Sequence, residues 1–521
     1  MFKNTRMAPK SSPRFLALCI LMSISVFLAG CSPQSSTAQI AAPPNAASNS
    51  APTSFQIPAP PMPSGKGVPK SMNMAGGQGT SITTLQAPET APQVKHFTVV
   101  AEKGSVTLKN GTTINTWTYD GTIPGPTIRV TQGDLVVVTL VNHLPFGVTI
   151  HWHGIDLANS SDGVAGVTQD AVKPGGSFTY RFIAKDAGTY WYHSHQFSYE
   201  ETTAGLFGLI IVDPLNPVYH DDVDYSVDLH DWTVGNQSLT SMNDTVGLIN
   251  KLALPGQWVR LRIANTANLP HLLTLVGAPF QVVALDGHDL NQPQFLTQKP
   301  LLIGGAQRFD IRFQMPQSGH VALLLSQDQL HYLSDQALLL GQGVQTIPSP
   351  LPAVDQHFFD LTNYGEPVPG ELNAQTPVAN TYTLKLDRDP GTYMGHTGMI
   401  YSFNGKTFLD DDVIKVKLGQ NIKIRLENQT NEWHPIHMHG PAFAVVAFNG
   451  HPVTGSPVYL DTINVPPNQS YDVIYTATNP GVWMVHCHNL LHAFWGMDTM
   501  IVYEGYTTPF TVGTQSGNFP D

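Results

Sequence analysis

The chain of 521 residues carries one sequence pattern three times. In each copy a glycine is followed nine residues later by an asparagine, and two further positions lie nine and eleven residues beyond that asparagine. The four positions are Gly133, Asn142, His151 and His153 in the first copy, Gly256, Asn265, Thr274 and Val276 in the second, and Gly419, Asn428, His437 and His439 in the third. The outer copies therefore share two histidines that the middle copy lacks.

Short runs rich in β-branched residues recur within the copies, for example at residues 135–141, 178–182 and 206–212. Turn-forming residues separate them, and the chain contains 45 glycines and 41 prolines. Short strands at regular spacing favour β-sandwiches over helical folds. The sequence therefore predicts an all-β fold with three consecutive domains, at residues 92–213, 219–350 and 370–506.

The first 91 residues differ from this pattern. A basic start precedes the apolar run Phe15–Ala29, which is too short for a comfortable membrane span and indicates a secretory signal. Its end, Leu28-Ala29-Gly30-Cys31, resembles the lipobox of bacterial lipoproteins. The resemblance implies that residues 1–30 are removed, that Cys31 carries a lipid, and that the exported protein is anchored at the cell envelope. Residues 31–91, rich in Pro, Ala and Ser, are predicted to be a disordered tether.

The overall charge excludes one class of partner. Acidic residues number 38 against 26 basic ones, and no long run of Lys or Arg occurs. Such a chain lacks the positive surface that nucleic acids require. No nucleic-acid partner is expected, and the lipid on Cys31 is the only membrane contact that the sequence predicts.

Ten of the 21 histidines lie in four short segments, each of which contains an H-x-H pair. On a strand, alternate side chains share a face, so both imidazoles of an H-x-H pair point one way and the middle residue points the other. In His486-Cys487-His488 the thiol and the imidazoles therefore belong to separate sites. One site takes Cys487 with His434, His492 and Met497, which is the donor set of a blue-copper centre. The other takes the remaining eight histidines, which are His151, His153, His193, His195, His437, His439, His486 and His488.

The order and spacing of these segments resemble those of three-domain multicopper oxidases of the laccase type, and the resemblance covers residues 92 to about 506. It implies cupredoxin-like Greek-key domains, four copper ions, dioxygen as acceptor and a small aromatic or metal-ion electron donor. A type-1 copper would bind His434, Cys487, His492 and Met497, and a type-2 copper would bind His151 and His437. The implied type-3 ligands are His153, His193 and His488 for one copper, and His195, His439 and His486 for the other.

Reduction of dioxygen consumes protons, so carboxylates near the cluster are candidate proton donors. Asp162 matches an acidic position that relatives use for proton delivery, although an Asp-Gly turn also explains it. Several bacterial relatives carry a glutamate at the position of Ala493, and this departure puts their second proton route in doubt. Glu200, Glu201 and Asp498 could substitute.

Three alternatives remain beside oxidation of phenols. A metallo-oxidase for Cu(I), Fe(II) or Mn(II) in copper tolerance would keep the same fold and coppers, and Met394 and Met399 could then hold Cu(I). A non-catalytic copper-sequestering lipoprotein is disfavoured because storage needs no complete type-1 site. A copper nitrite reductase is disfavoured because it uses two domains and a different ligand set.

Overall fold

The computed structural model of the protein describes residues 60–520, apart from 65–66, 236, 327–331, 344, 352–356 and 409. Within these ranges it contains 33 strands, two short α-helices and two 3-10 helices, Ile82–Thr84 and Asn159–Ser161. The all-β prediction is confirmed. The predicted signal peptide, residues 1–30, and Cys31 lie outside the described residues. No helix of the described part is long and apolar enough to span a membrane.

The first sequence copy forms two four-stranded sheets, with strand orders β3-β2-β5-β7 and β4-β9-β8-β6. The helix α1 (Ser198–Thr203) lies between its last two strands. The strands are β2 (Val94–Thr107), β3 (Thr113–Tyr119), β4 (Gly125–Thr131), β5 (Leu135–Asn142), β6 (His151–His153), β7 (Ser177–Ile183), β8 (Gly188–His193) and β9 (Phe207–Asp213).

The second copy forms a six-stranded sheet, β11-β10-β13-β18-β15-β16, and a five-stranded sheet, β12-β20-β19-β14-β17. Its strands are β10 (Val223–Val234), β11 (Gln237–Met242), β12 (Leu248–Leu252), β13 (Trp258–Asn265), β14 (His271–Val276), β15 (Phe280–Leu285), β16 (His288–Asp289), β17 (Leu301–Ile303), β18 (Arg308–Gln314), β19 (Val321–Ser326) and β20 (Tyr332–Gly341).

The third copy forms a seven-stranded sheet, β22-β21-β24-β30-β26-β27 with β28 paired to β26, and a five-stranded sheet, β23-β32-β31-β25-β29. The helix α2 (Leu490–Phe494) follows β31. The strands are β21 (Asn380–Tyr393), β22 (His396–Phe403), β23 (Ile414–Val416), β24 (Asn421–Asn428), β25 (His434–Met438), β26 (Phe443–Phe448), β27 (His451–Pro452), β28 (Tyr459–Leu460), β29 (Thr462–Val465), β30 (Ser470–Thr476), β31 (Val482–Cys487) and β32 (Asp498–Tyr503).

The three copies share one topology. Each contains two parallel strand pairs, one in each sheet, while most other pairings are antiparallel: β2 with β5 and β4 with β9, β10 with β13 and β12 with β20, and β21 with β24 and β23 with β32. A parallel pair requires a crossover between its strands, which is how a sandwich of Greek-key type is connected. The sequence repeat is therefore a repeat of three successive β-sandwiches.

The repeated asparagine explains why the sequence pattern recurs. Each such asparagine ends a strand, and its amide donates to the carbonyl four residues ahead and to a carbonyl of a distant segment, while its oxygen accepts from the amide two residues ahead. A buried amide that makes three hydrogen bonds fixes the loop that leads into the next strand. In the outer copies that next strand carries the histidine pair. The three residues are Asn142, Asn265 and Asn428.

The described part of the predicted tether differs from that prediction. Met72 forms a bridge with Val512, and a two-residue strand, β1 (Thr80–Ser81), pairs with β33 (Tyr506–Thr507) near the end of the chain. The side chain of Ile82 is fully buried in a cluster that also contains Val512 and Phe519. Ala75 belongs to the same cluster, and the Pro- and Ser-rich composition concealed these apolar contacts. Residues 31–59 lie outside the described residues.

Candidate metal centre

The first candidate site brings together the thiol and the imidazoles that parity assigned to it. Cys487 ends β31, His434 begins β25, and His492 lies on α2, so three different elements supply the three side chains. The Cys487 Sγ lies 3.4 Å from His492 Nδ1 and 3.6 Å from His434 Nδ1, and the two Nδ1 atoms are 3.2 Å apart. All three side chains are buried. The group is the right size and composition for one copper ion.

The pKa shifts of the three side chains favour binding of a metal ion over binding of a proton by the imidazoles. Burial lowers the pKa of His434 to about 3, and burial together with His434 lowers the pKa of His492 to about 2, so both rings are neutral. Burial also raises the pKa of the Cys487 thiol, so an ionised sulfur requires a bound cation. The outer nitrogen of each ring is held elsewhere, since His434 Nε2 lies 2.8 Å from Thr430 Oγ1 and His492 Nε2 lies 3.3 Å from Glu432 Oε2. The Nδ1 atom of each ring therefore faces the sulfur and is available to a metal ion.

Met497 is fully buried and joined to this site through the backbone. The Cys487 amide donates to the Met497 carbonyl at 3.0 Å, and the Met497 amide donates to the His492 carbonyl at 3.1 Å. These two bonds hold the methionine beside the cysteine and the histidine, and Met497 and Cys487 pack in the same apolar cluster.

The second candidate site contains the eight remaining histidines, each of them at most 2% exposed. They lie on paired strands of the outer copies or within two residues of the strand ends, and His151 lies opposite His193 and His437 opposite His486. Two pairs of imidazole nitrogens face each other, His439 Nε2 with His486 Nε2 at 3.3 Å and His488 Nε2 with His193 Nε2 at 3.4 Å. Stacked rings, His151 on His439 and His153 on His437, complete the cluster.

The cluster is suited to bind metal ions because several of its ring nitrogens make no hydrogen bond. Among the described residues, five of its buried ring nitrogens have no hydrogen-bond partner: His151 Nε2, His153 Nδ1, His195 Nε2, His437 Nε2 and His488 Nδ1. Burial first, and then neighbouring imidazoles, holds the pKa of six of the rings far below the usual value, so they are neutral: His153, His193, His195, His439, His486 and His488. Buried neutral imidazoles with unsatisfied nitrogens are the donors that copper prefers.

Hydrogen bonds to the opposite ring nitrogens orient the cluster. His151 Nδ1 donates to the Asp162 carbonyl at 2.8 Å, and His439 Nδ1 donates to Asp162 Oδ2 at 2.9 Å. Asp162, the proton donor suggested by the sequence, thus contacts two cluster histidines directly, and its side chain is 2% exposed. Such outer contacts fix the tautomer of a ligating histidine. His153 is oriented the other way, since its Nε2 donates to Asp461 Oδ1 at 3.0 Å and leaves Nδ1 for the cluster.

Sequence reasoning missed the group behind His153. Asp461 accepts two hydrogen bonds from the Arg308 guanidinium, at 2.5 Å and 2.8 Å, and Arg308 lies 3.5 Å from Asp286. All three side chains are at most 2% exposed. Burial opposes the charges, but Arg308 and His153 outweigh it and hold the pKa of Asp461 well below its usual range, while burial and Asp461 raise the pKa of Asp286 to about 7. A charged arginine at the start of the buried strand β18 was the available signal.

One tripeptide joins the two sites. His486 and His488 reach the eight-histidine cluster while Cys487 between them reaches the first site. An electron that enters at the sulfur therefore has a covalent path to the cluster. Together with the sandwich fold, this arrangement defines a copper-dependent oxidoreductase.

Comparisons with known proteins agree with that class. A family model described as multicopper oxidase matches residues 100–217, and a second with the same description matches residues 371–505. The multicopper oxidase MmcO of Mycobacterium tuberculosis is 31% identical over 442 residues, which cover 75% of this chain and 84% of that protein. Laccase-1 of Botryotinia fuckeliana is 29% identical over 498 residues, covering 82% and 84%. The solved multi-copper oxidase from Pseudomonas thermotolerans superposes with a TM-score of 0.65 at 28% identity, covering 79% and 99%.

The chain belongs to the multicopper oxidase family and is laccase-like. Its three sandwiches are cupredoxin-like, and it is a copper oxidoreductase that uses dioxygen as acceptor. Family membership implies four coppers, one of type 1, one of type 2 and a type-3 pair. When bound, these ions take electrons singly from a donor and reduce dioxygen to water.

Proposed function

We propose the following ligand sets, which the convergence of the buried donor atoms supports. His434, Cys487, His492 and Met497 hold the type-1 copper, and His151 and His437 hold the type-2 copper. His153, His193 and His488 hold one type-3 copper, and His195, His439 and His486 hold the other. Asp162 delivers protons at the cluster. The sandwiches extend over residues 92–213, 219–350 and 370–506. None of the ligands in these sets lies in the middle sandwich.

We further propose that the physiological donor is a phenol or a similar aromatic molecule. The observation that supports this proposal is the set of hydrogen-bond partners of Glu432. The Glu432 carboxylate lies beside His492 Nε2, on the side of the type-1 site opposite the sulfur. Arg388 Nη1 forms an ion pair with Glu432 Oε1 at 3.1 Å, and the hydroxyl of Tyr401 donates to Glu432 Oε2 at 2.8 Å. A metal-ion donor needs uncompensated oxygen or sulfur ligands. A carboxylate already neutralised by arginine is poor for that purpose, but it can accept a hydrogen bond from a phenol.

The ring of Tyr401 supports the same donor class. It stacks on His492 with centroids 3.9 Å apart and an angle of 14°. The edge of the type-1 site is thus bordered by an aromatic face and a hydrogen-bond acceptor. By contrast Met394, the candidate Cu(I) ligand, packs against the apolar cluster that contains Phe408 and Phe519. That packing supports a structural role for its thioether.

Oxygen uptake by copper-loaded protein that lacks residues 1–31 tests the donor class. A methoxyphenol and cuprous ion are compared under identical conditions, with correction for spontaneous metal oxidation. We expect faster turnover with the phenol. A Glu432→Gln variant should lose activity towards the phenol more than towards an electron donor without an O–H group. Preference for cuprous ion would instead identify a metallo-oxidase for Cu(I), Fe(II) or Mn(II), and absence of uptake with either would favour copper sequestration.

Met497→Leu tests the proposed thioether ligand. Removal of this weak donor should raise the potential of a copper held at the type-1 site, because the weak ligand of such a site tunes its potential. Redox titration of the blue absorption measures it. Met500→Leu is the matched control, since Met500 is equally buried but belongs to a separate apolar cluster, and it should leave the potential unchanged. A Met497→Leu potential equal to or below that of the unaltered protein would contradict the assignment.

We propose that the protein is exported and anchored at the cell envelope by a lipid on Cys31. The support is the basic start, the apolar run and the lipobox-like end of the first 31 residues. Labelling of growing cells with a radioactive fatty acid should mark the full-length chain but not its Cys31→Ala variant, and equal labelling of the two would contradict the anchor.

A further inference from the structure

A cleft of about 400 Å³ lies between the middle and third sandwiches, and none of the proposed copper ligands lines it. Much of its wall is aromatic. Phe448 packs on Tyr471 with ring centroids 4.6 Å apart, and Phe359 meets Phe309 edge to face at 6.0 Å. The partly buried ring of Trp433 completes the aromatic wall. A cleft of this size and lining is suited to a small aromatic molecule.

One buried polar group in the wall has no partner. Asn464 lines the cleft and is 8% exposed, and its Oδ1 atom makes no hydrogen bond within the described ranges. Gly304 of the middle sandwich lies so close to this amide that a Cβ atom there would come within 2.6 Å of Asn464 Cγ. Buried amide oxygens are normally paired. The cleft therefore combines aromatic walls with one free acceptor, which suits an aromatic ligand that carries an O–H group.

The strand β25 separates this cleft from the type-1 site. His434 begins β25, and its Nδ1 atom faces the sulfur of that site. The next residue, Pro435, lies opposite Asn464 on β29, and alternate residues of a strand point to opposite faces. Trp433 directly precedes His434 and lines the cleft. One peptide unit thus joins the wall of the cleft to the histidine that faces the sulfur.

We propose that this cleft is a second binding site for a phenolic donor, from which electrons enter through Trp433 and His434. The inference rests on the ligand set proposed above, in which His434 binds the type-1 copper. A phenol in the cleft gives up one electron and one proton and becomes a phenoxyl radical. The electron passes along the peptide unit to His434, and the proton leaves to water. Four such oxidations supply the four electrons and four protons that convert one dioxygen into two waters.

This second entrance is distinct from the one at Glu432. The Glu432 carboxylate lies beside His492 Nε2. Neither it nor its partners Arg388 and Tyr401 line the cleft. One entrance therefore leads to His492 and the other to His434, which are the two imidazoles of the same site. Glu432→Gln should accordingly leave a residual reaction with phenols that the cleft supports.

Photolabelling tests whether the cleft binds a phenol. The copper-loaded enzyme is reduced in advance, kept under argon and irradiated with a phenol that carries a diazirine group, and mass spectrometry locates the label. We expect label on Phe448 and Phe359. Asn464→Leu should raise the phenol concentration needed for half-maximal labelling about 2- to 10-fold, as expected for loss of one hydrogen bond. It should not affect labelling by the methyl ether of the same probe, which has no O–H group.

A variant that fills the cleft supplies the second measurement. Leu302 lies in the wall contributed by the middle sandwich, and Leu302→Trp should abolish labelling of Phe448 and Phe359. Leu215→Trp is the matched control, because Leu215 is 63% exposed and lies outside the cleft, so labelling should persist. Both variants should keep the blue absorption, which shows that the third sandwich is intact.

Anaerobic stopped-flow reduction of the blue copper tests electron entry. Leu302→Trp added to Glu432→Gln should remove the residual bleaching by a methoxyphenol. Bleaching by ferrocyanide, a hydrated anion that does not suit an aromatic cleft, should be unchanged. Absence of label from the cleft, or label there with undiminished bleaching by the phenol in the double variant, would overturn the second entrance. Failure of the donor proposal itself would look different, because the phenol would then bleach not even the unaltered enzyme, and both proposals would fall.

Discussion

Replacement of Cys487 by serine is expected to remove the blue absorption and to lower oxygen uptake by about 10²-fold or more, since even partners outside the metal ligands cost 10–100-fold. The sulfur is close to both Nδ1 atoms of the type-1 site, and a serine hydroxyl does not ionise at neutral pH to replace it. The same atom begins the covalent path to His486 and His488. Its loss therefore removes the entry point for electrons, while the eight-histidine cluster keeps its donors.

The absorption spectrum, the copper content and the rate of oxygen uptake measure this prediction. We expect three coppers per chain instead of four in Cys487→Ser. Ile436→Val is a suitable control, because Ile436 lies opposite Cys487 on the neighbouring strand and the change removes only one buried methylene group. It should destabilise the protein by about 0.5–1.5 kcal/mol and leave the blue colour intact. A blue and active serine variant would contradict the assigned site.

Replacement of Arg308 by leucine is expected to lower the free energy of unfolding by about 3–5 kcal/mol, which is the cost of breaking a buried ion pair by removal of one partner. The guanidinium is fully buried and bonds Asp461 with two nitrogens, while a third donates to the Thr189 carbonyl at 3.0 Å. Burial opposes its charge, but Asp461 and Asp286 outweigh burial and raise the pKa of the guanidinium. Without it, the carboxylate of Asp461 remains buried with its charge uncompensated.

Denaturant unfolding of the copper-free chain, followed by tryptophan fluorescence, measures the loss. Lys109→Met is the matched control, because the ion pair between Lys109 and Asp244 is largely exposed and such pairs contribute about 0–1 kcal/mol. We also expect Arg308→Leu to lower copper occupancy, because Asp461 orients His153 and, through its carbonyl, His437. Unfolding of Arg308→Leu at the same denaturant concentration as the control would show that the buried pair is not needed for stability.

The sequence predicted the parts of the site that depend on local rules. Alternation along a strand separated Cys487 from its two flanking histidines, and in the structure Cys487 lies beside His492 while His486 and His488 lie beside other histidines. The recurring asparagine identified three copies because each copy needs the same loop to be fixed in the same way. Strand character followed from turn residues and β-branched runs. These features require only residues that are close in the chain.

The parts that sequence reasoning missed join residues far apart in the chain. Arg308 meets Asp461 across 153 positions, and His153 meets Asp461 across 308. Nothing local distinguishes Asp461 from other acids in turns. The burial of Ile82 was also missed, because one apolar residue in a Pro- and Ser-rich stretch has no periodicity. Glu201 was a candidate on proximity alone, and the hydrogen bond of 2.5 Å that it accepts from Ser194 Oγ depends on how α1 folds back beneath the strand.

The arginine that holds Asp461 belongs to the middle sandwich, which lacks the histidine pair of the outer copies. That sandwich supplies none of the proposed ligands, yet its β18 supplies the positive charge that compensates an acid of the third sandwich, and this acid in turn orients a histidine of the first. An evolutionary shortening of the chain by deletion of the middle copy would therefore leave the cluster histidines present, but Asp461, which orients His153, would lose the charge that compensates it. In biosynthesis, copper insertion should likewise await docking of all three sandwiches, so a truncated or partly assembled chain would lack its full set of coppers.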